Sequence, residues 1–212
     1  MPESSERVLP QQFYARDPRI VARELLGKIL VRTLSGRAKK KLSGRIVEVE
    51  VYLAEGDLAA HSAAGKTERN QVIFGPPGHA YVYFIYGVHY CLNFSCMPEG
   101  QAGCVLLRAI EPMEGLDEMA KARGVNPEHL HSISGLKMLT SGPGRVCQAL
   151  NITRQKLNGQ ELFRADSPLK IVDDRWRPAE IRETLRIGIT KSHEMPLRYL
   201  IAGNQFVSGK KA

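Results

Sequence analysis

Valine and glutamate alternate along residues 44–53, which read Gly-Arg-Ile-Val-Glu-Val-Glu-Val-Tyr-Leu. Successive side chains of a β-strand point to opposite faces, so this pattern predicts a strand with one apolar face. The core face is expected to carry the three valines, Val47, Val49 and Val51. The other face is expected to carry Ile46, Glu48, Glu50 and Tyr52. Two carboxylates beside an aromatic ring pack poorly in a core, so this second face indicates a functional site.

The same patterning predicts the other elements of the chain. An amphipathic helix is predicted for residues 17–26, where apolar residues recur at helical spacing. Residues 114–123 form a second predicted helix, with Pro112 ending the strand before it, and Ser141-Gly-Pro-Gly is a predicted turn leading into a helix at 145–150. Because strands and helices do not alternate regularly, the pattern favours an α+β fold. Further strands are predicted at 27–33, 80–86, 89–96, 103–110, 169–172, 185–190 and 197–201.

Length and patterning predict a single domain. The 212 residues fit one large domain, although two small ones are also compatible with this length. The single domain is predicted to span 10–208, between a loose N-terminal segment at 1–9 and a basic tail at 209–212. No apolar run approaches the roughly 18 residues of a membrane span, and the N-terminus shows no secretory signal. The four cysteines show no disulfide-framework spacing, which favours a reducing intracellular compartment.

The charge balance adds a candidate partner. The chain carries 30 Lys+Arg against 22 Asp+Glu, a formal net charge of +8. Such an excess favours a polyanion such as nucleic acid, because cations placed on phosphates release condensed counterions. It is also compatible with a basic protein that binds no nucleic acid. The two short basic runs, 39–41 and 210–211, are expected to be a solvated loop and part of the tail.

The aromatic segment 81–93 predicts a β-hairpin. It reads Tyr-Val-Tyr-Phe-Ile-Tyr-Gly-Val-His-Tyr-Cys-Leu-Asn, and Gly87 separates two strand-forming runs. Tyr86 is therefore expected at or beside the turn, where an aromatic ring has no core to fill. From the residues alone, the simpler interpretation is that Tyr86 folds back onto the sheet.

Two other kinds of site fit these residues less well. The chain has no Cys-x-x-Cys pair, and the Cys and His side chains of residues 89–104 are mostly neighbours within strands, so no metal site is predicted. Glu48 and Glu50 would have alpha carbons about 7 Å apart, which matches the carboxyl separation of inverting glycosidases. Parallel side chains from one strand seldom flank both faces of a sugar, however. One functional and one ion-paired carboxylate is the better interpretation.

Six short segments occur in a defined order and together carry a resemblance. They are Gly-Arg-Ile-Val-Glu-Val-Glu-Val-Tyr from Gly44, Ala-Ala-His-Ser from Ala59, Tyr-Val-Tyr-Phe-Ile-Tyr-Gly from Tyr81, Leu-Asn-Phe-Ser from Leu92, Val-Leu-Leu-Arg-Ala-Ile-Glu-Pro from Val105 and Ser-Gly-Pro-Gly-Arg-Val-Cys-Gln-Ala-Leu from Ser141. The ordered set, which covers nearly the whole chain, resembles the alkyladenine DNA glycosylases, also called methylpurine or 3-methyladenine DNA glycosylases.

The resemblance implies an α+β fold: a single compact mixed domain with a curved antiparallel sheet, surrounding helices and a protruding DNA-binding β-hairpin. It implies removal of 3-methyladenine, 7-methylguanine, hypoxanthine and ethenoadenine from double-stranded DNA as the first step of base excision repair. It further implies a monomer that needs no cofactor, no metal and no obligate protein partner. No Schiff-base lysine is evident in the matching segments, so a monofunctional glycosylase without strand-cutting activity is expected.

The resemblance also assigns roles position by position. Glu50 matches the general base that activates water, and Arg108 matches an arginine beside that water. Tyr86 matches the wedge that fills the gap left in the base stack. The residues that hold the everted base are matched by Tyr52, His61, Tyr83 and Asn93, of which the last discriminates against guanine. Contacts to the DNA backbone are expected from Lys66, Arg69, Val88 and His89.

Two other function classes stay open at this point. A non-catalytic nucleic-acid module would explain the charge and the tyrosines. It would not explain Glu50 among them, since a carboxylate near phosphates weakens binding. A nucleoside or sugar hydrolase would explain Glu50 but would need no aromatic wedge, and activity on free nucleosides discriminates it.

Overall fold

The computed structural model describes residues 7–36 and 39–209. This part of the chain forms a single compact mixed domain in which helices surround a curled antiparallel sheet, so the α+β prediction is confirmed. The strands are β1 (Arg7–Val8), β2 (Ile29–Thr33), β3 (Lys41–Tyr52), β4 (Ala80–Ile85), β5 (His89–Ser95), β6 (Cys104–Glu114), β7 (Leu169–Asp173), β8 (Ile181–Thr184) and β9 (Arg198–Ile201). The α-helices are α1 (Gln11–Tyr14), α2 (Pro18–Leu25), α3 (Leu116–Arg123), α4 (Ile133–Thr140), α5 (Pro143–Ala149) and α6 (Arg154–Leu157), and Gln71–Phe74 and Pro127–His131 form 3₁₀ helices.

The long strand β3 organises the sheet. The main strand order is β1-β7-β2-β3-β6-β5-β4, and every pair is antiparallel. The first part of β3 pairs with β2, whereas Glu48 to Glu50 pair with β9, which in turn pairs with β8. This exchange of neighbours allows the sheet to curl around the second half of β3, where both glutamates lie.

A register shift changes the expected alternation along β3. The pairing of β3 with β6 slips on both sides of Glu48, which leaves one extra residue on each strand, Val47 and Arg108. Such bulges re-aim side chains. The prediction that Ile46 shares a face with the glutamates is wrong, because Ile46 packs in the main core. The predicted valine face is confirmed, since the same core contains Val47, Val49 and Val51.

Two apolar clusters lie on opposite faces of the strands that follow. The main core packs one face of the sheet against α2, α3, α4 and α5. Alternate residues of β4, β5 and β6 point the other way and form a smaller cluster with the 3₁₀ helix Gln71–Phe74. Its buried members are Ile73, Tyr81, Tyr83, Cys91, Cys104 and Leu106. This second cluster supports the candidate site.

Most predicted elements form, with two corrections. The helix predicted at 17–26 is confirmed as α2, where the Asp17 side chain accepts a hydrogen bond from the Arg19 amide and Pro18 follows as the first helical residue. The prediction that Pro112 ends a strand is wrong, because β6 continues to Glu114. Pro112 pairs with Gly44 beside a register shift, where a missing amide proton is tolerated.

The strand predicted at 185–190 is also wrong, because the strand of this region lies earlier, at Ile181–Thr184. The Ile187 amide donates to a side chain, Glu50, at 2.8 Å. Gly188 adopts a positive φ of 78°, which an extended strand does not accommodate. The helix α4 was not among the predicted elements.

The chain ends fall partly outside the described residues. Residues 1–6 of the predicted loose segment and the run 210–211 of the predicted tail lie outside them. Arg7–Val8 pair with β7 and Leu9 is buried, so ordered structure begins before residue 10. The domain limits 10–208 stay a prediction. Among the described residues, no helix is long and apolar enough to cross a membrane. All four cysteines are buried and free.

Candidate active site

A cavity of about 320 Å³ opens between the second half of β3, the β4–β5 hairpin, the start of α5 and the segment 187–189. It brings together most of the residues that the sequence singled out. The predicted residues that line it are Glu50, Tyr52, His61, Tyr83, Tyr86, His89, Asn93 and Arg108. Lys66, Arg69 and Val88 are not part of its lining.

The Glu50 carboxylate is fully buried at this cavity and is held by three donors. Its Oε1 accepts one hydrogen bond, from the Ile187 amide at 2.8 Å, and forms an ion pair with Nη1 of Arg108 at 3.0 Å. Its Oε2 accepts from the Tyr52 hydroxyl at 3.2 Å. Burial raises the pKa of the Glu50 carboxyl above its ordinary value, and the Arg108 charge and the two hydrogen bonds offset part of that shift.

Arg108 lies between two buried carboxylates. Its Nε donates to Oε1 of Glu48 at 2.9 Å, while its Nη1 faces Glu50. Glu48 is fully buried and also accepts from Arg198 at 2.7 Å. The prediction that Glu48 forms an ion pair with a basic neighbour is therefore confirmed. Arg108 thus contacts both glutamates of β3.

Aromatic rings form the walls of the cavity. The His61 and Tyr83 rings meet edge to face with centroids 4.5 Å apart. His61 also shares a hydrogen bond of 2.9 Å with the Tyr81 hydroxyl. Loss of hydration and the nearby Arg69 lower the pKa of His61, which favours the neutral imidazole. Tyr52 lines the cavity from β3, beside Glu50.

Asn93, on β5, is fixed in the wall of the cavity. Its side chain is 2% exposed, and its Nδ2 donates to the Tyr81 carbonyl at 3.2 Å. Its Oδ1 accepts a weak bond from the Cys104 thiol at 3.8 Å. Because both ends of the amide are engaged, the cavity presents this group in one orientation.

The hairpin tip carries exposed apolar side chains. β4 and β5 pair in register, and Tyr86, in the tip between them, is 80% exposed. The interpretation that Tyr86 folds back onto the sheet is therefore wrong. Tyr86 adopts a positive φ of 54°, which is uncommon for a bulky side chain and projects it from the turn. Val88 is 67% exposed and His89 is also exposed at this tip.

A buried ion pair that sequence reasoning missed braces the same site. Arg186 donates to both oxygens of Asp57, at 2.6 and 2.8 Å, and both side chains are fully buried. Arg186 also donates to the Val51 carbonyl at 3.0 Å and lies 4.8 Å from the Tyr52 ring centroid. It immediately precedes Ile187, whose amide binds Glu50. No local sequence pattern connects residue 57 with residue 186.

The remaining predicted residues lie around the cavity rather than in it. Lys66 and Arg69 are exposed, and the Arg69 guanidinium lies 5.6 Å from the Tyr83 ring centroid. Within residues 7–36 and 39–209, no group of three or more His, Cys, Asp or Glu side chains is placed to hold a metal ion.

Comparison with known proteins identifies the class to which this fold and site belong. Residues 12–205 match the family model described as methylpurine-DNA glycosylase. A protein of Koribacter versatilis is 58% identical over 96% of this chain and 94% of its own length, and one of Methanoculleus marisnigri is 46% identical over 94% and 98%. Both carry the name "Putative 3-methyladenine DNA glycosylase".

The chain belongs to the methylpurine-DNA glycosylase family. It is a DNA glycosylase, a hydrolase of N-glycosyl bonds that acts in DNA repair, and DNA is its substrate. The family resemblance of the six ordered segments is thereby confirmed.

Proposed function

We propose that Glu50 is the general base of this glycosylase and activates the water that attacks the sugar carbon of an everted purine nucleotide. The observation that carries the proposal is the fully buried Glu50 carboxylate at a ring-lined cavity. A carboxylate has about four acceptor positions. Ile187 and Tyr52 occupy two of them, and Nη1 of Arg108 lies 3.0 Å from Oε1. We assign a remaining position, on Oε2, to the attacking water.

The charges around Glu50 suit this reaction. Breaking the glycosidic bond develops positive charge on the sugar, and a fixed carboxylate in a site of low dielectric constant stabilises that charge. Arg108 favours the ionised form of Glu50, which is the form that accepts a proton from water. Arg108 is thus proposed to keep the base ionised and oriented.

The aromatic walls support a purine as the bound group. An enzyme that acts on a base within a duplex must extrude the nucleotide, at a cost of a few kcal/mol, and damaged bases cost least. We assign Tyr52, His61 and Tyr83 to the two faces of the everted base. Alkylated purines that carry positive charge gain cation–π attraction to such rings. Asn93, held in one orientation, is proposed to discriminate against guanine.

The hairpin tip suits insertion into DNA. An exposed tyrosine at the rim of the cavity can occupy the gap that an everted nucleotide leaves, as minor-groove wedges do. We therefore assign Tyr86 as the wedge. Contacts to the phosphate backbone are assigned to the exposed residues around it, Lys66, Arg69, Val88 and His89.

The proposal is tested with duplex oligonucleotides that each contain one modified purine: 3-methyladenine, 7-methylguanine, hypoxanthine or ethenoadenine. We expect abasic sites to accumulate, with unchanged rates in a metal chelator and no strand break until alkali is added. Release of base from free nucleosides at rates equal to those on duplex DNA would favour the nucleoside hydrolase. Binding to these duplexes without any base release would favour the non-catalytic module.

A second prediction concerns the wedge. Replacing Tyr86 with alanine removes the ring that compensates the broken stack, which is worth on the order of 1–3 kcal/mol. We expect Tyr86→Ala to bind lesion-containing duplex about 5- to 150-fold more weakly, with little change for undamaged duplex. Tyr86→Phe keeps the ring and should retain the preference for lesions. An unchanged lesion preference in Tyr86→Ala, measured by fluorescence anisotropy, would count against the wedge.

A further inference from the structure

Glu48 accepts four hydrogen bonds near the cavity, although it does not line the cavity itself. Its Oε1 accepts from Nε of Arg108 at 2.9 Å, from Nε of Arg198 at 2.7 Å and from the Ser208 hydroxyl at 3.0 Å. Its Oε2 accepts from the Ser208 amide at 2.5 Å. Three separate parts of the chain, β6, β9 and the C-terminal segment, therefore converge on one buried side chain.

This arrangement determines how Arg108 faces Glu50. Nε of Arg108 is held by Glu48, and its Nη2 donates to the Ser208 hydroxyl at 3.2 Å. A guanidinium is planar, so two fixed nitrogens fix the direction of the third. That third nitrogen, Nη1, lies 3.0 Å from Oε1 of Glu50.

We propose that Glu48 is a positioning residue for base release: anchored by Ser208 and Arg198, it holds the Arg108 guanidinium in the plane that presents Nη1 to Glu50. The proposal rests on the role assigned to Glu50 above. Glu48 itself does not reach the cavity, so it acts only through Arg108. A carboxylate with four donors and no exposed surface cannot rotate without leaving buried groups unpaired.

Charge balance gives the proposal a second consequence. Four buried charges lie together, two carboxylates (Glu48 and Glu50) and two guanidiniums (Arg108 and Arg198), and they sum to zero. Neutralising Glu48 leaves one excess positive charge beside Glu50. The titratable and charged groups that face Glu50 from the surrounding elements are Glu48 and Tyr52 on β3, Cys91 on β5, Arg108 on β6, Arg198 on β9 and Arg186 beside Ile187.

The sign of the expected change follows from these charges. The negative charge of Glu48 raises the pKa of Glu50, and the positive charge of Arg108 lowers it. Removing the Glu48 charge therefore lowers the pKa of Glu50 and weakens it as a base. The rate at neutral pH should fall, and the acid limb of the pH–rate profile should move to lower pH.

The test is Glu48→Gln, measured by single-turnover base release across pH on a duplex that the wild-type protein cleaves. We expect a rate about 10- to 100-fold lower at pH 7, a fraction of what a general base contributes. The acid limb should lie at lower pH than in the wild type. Binding to a duplex that carries a lesion nucleotide with a non-hydrolysable glycosidic bond should stay within about twofold, because the ring-lined wall is untouched.

The matched control is Asp173→Asn on β7. Asp173 also holds two cations, Lys28 at 3.0 Å and Arg177 at 2.8 Å, but it does not line the cavity. We expect its melting temperature to fall while its rate and acid limb match the wild type. The proposal would be overturned if Glu48→Gln also lowered only the melting temperature and kept the wild-type rate and acid limb. A parallel loss of rate and binding with an unmoved acid limb would also overturn it.

Ser208→Ala tests the positioning of Arg108 by Glu48 if Glu48→Gln does not fold. It removes the hydroxyl that bridges Arg108 and Glu48 but changes no charge. We expect a several-fold lower rate with the acid limb in its wild-type place, and a wild-type rate would overturn the proposal. Wild-type protein that releases no base from any lesion would instead refute the proposed function, so the two failures are distinguishable.

Discussion

Glu50→Gln is expected to abolish nearly all base release while keeping the affinity for lesion-containing DNA. A glutamine can still accept a hydrogen bond from the Ile187 amide, and Arg108 keeps its ion pair with Glu48, so the site should stay folded. It cannot take a proton from water at neutral pH. General bases contribute about 10²- to 10⁴-fold to rate, and a loss of that size is expected in single-turnover base release at pH 7.

The pH dependence provides an internal check on the same residue. Because burial raises the pKa of Glu50, the wild-type rate should fall as the pH drops through a value above the ordinary range of a glutamate. The residual rate of Glu50→Gln should show no such acid limb. Glu180→Gln, a change at an exposed carboxylate paired with Arg182, serves as the control and should behave as the wild type. Base release by Glu50→Gln at the wild-type rate would remove Glu50 from the mechanism.

The Asp57–Arg186 pair is expected to produce the largest loss of stability. Arg186→Met leaves the fully buried Asp57 without its cation. Removing one partner of a buried ion pair costs about 3–5 kcal/mol. We expect that decrease in the free energy of unfolding, measured with urea. Base release should fall as well, because Arg186 anchors the backbone that delivers the Ile187 amide to Glu50.

A double-mutant cycle separates the ion pair from simple packing. Asp57→Asn combined with Arg186→Met leaves no unpaired charge, so part of the stability should return and the coupling energy should be large. The exposed pair between Arg164 and Asp166 is the control. Asp166→Ala is expected to leave the free energy of unfolding close to that of the wild type. Equal effects at the two pairs would contradict the bracing role of Arg186.

The local elements were predictable where short-range periodicity is strong. The alternation of valine and glutamate identified β3, and Gly87 between two aromatic runs identified the hairpin, as found. The helix after Asp17 also follows from its own residues, because a cap and a following proline act locally. The prediction of a strand at residues 185–190 was wrong for a reason that is not local. The Ile187 amide donates a hydrogen bond to the Glu50 side chain, and Gly188 adopts a positive φ that bends the chain.

The candidate site was predictable in its residues but not in its connections. The ordered segments singled out Glu50, Tyr52, Tyr83 and Asn93, and all four line one cavity. The local spacing of residues 81–93 could not indicate that the Tyr86 ring projects outward, because the direction of a tip side chain depends on the turn conformation. The ordered segments also could not indicate that Arg108 contacts both Glu48 and Glu50. That double contact depends on the slip of β6 against β3, which arises from strand pairing.

The sequence by itself determined the strand that bears the carboxylates, the aromatic hairpin, the positive charge and the family. These properties reside in short stretches whose side-chain spacing is read directly from the chain. Only the tertiary structure decided that the backbone amide of Ile187, 137 residues away in sequence, donates to Glu50. It also decided that Arg186 forms an ion pair with Asp57. Such contacts join segments with no shared periodicity. They form because a buried charge must be paired wherever packing places it.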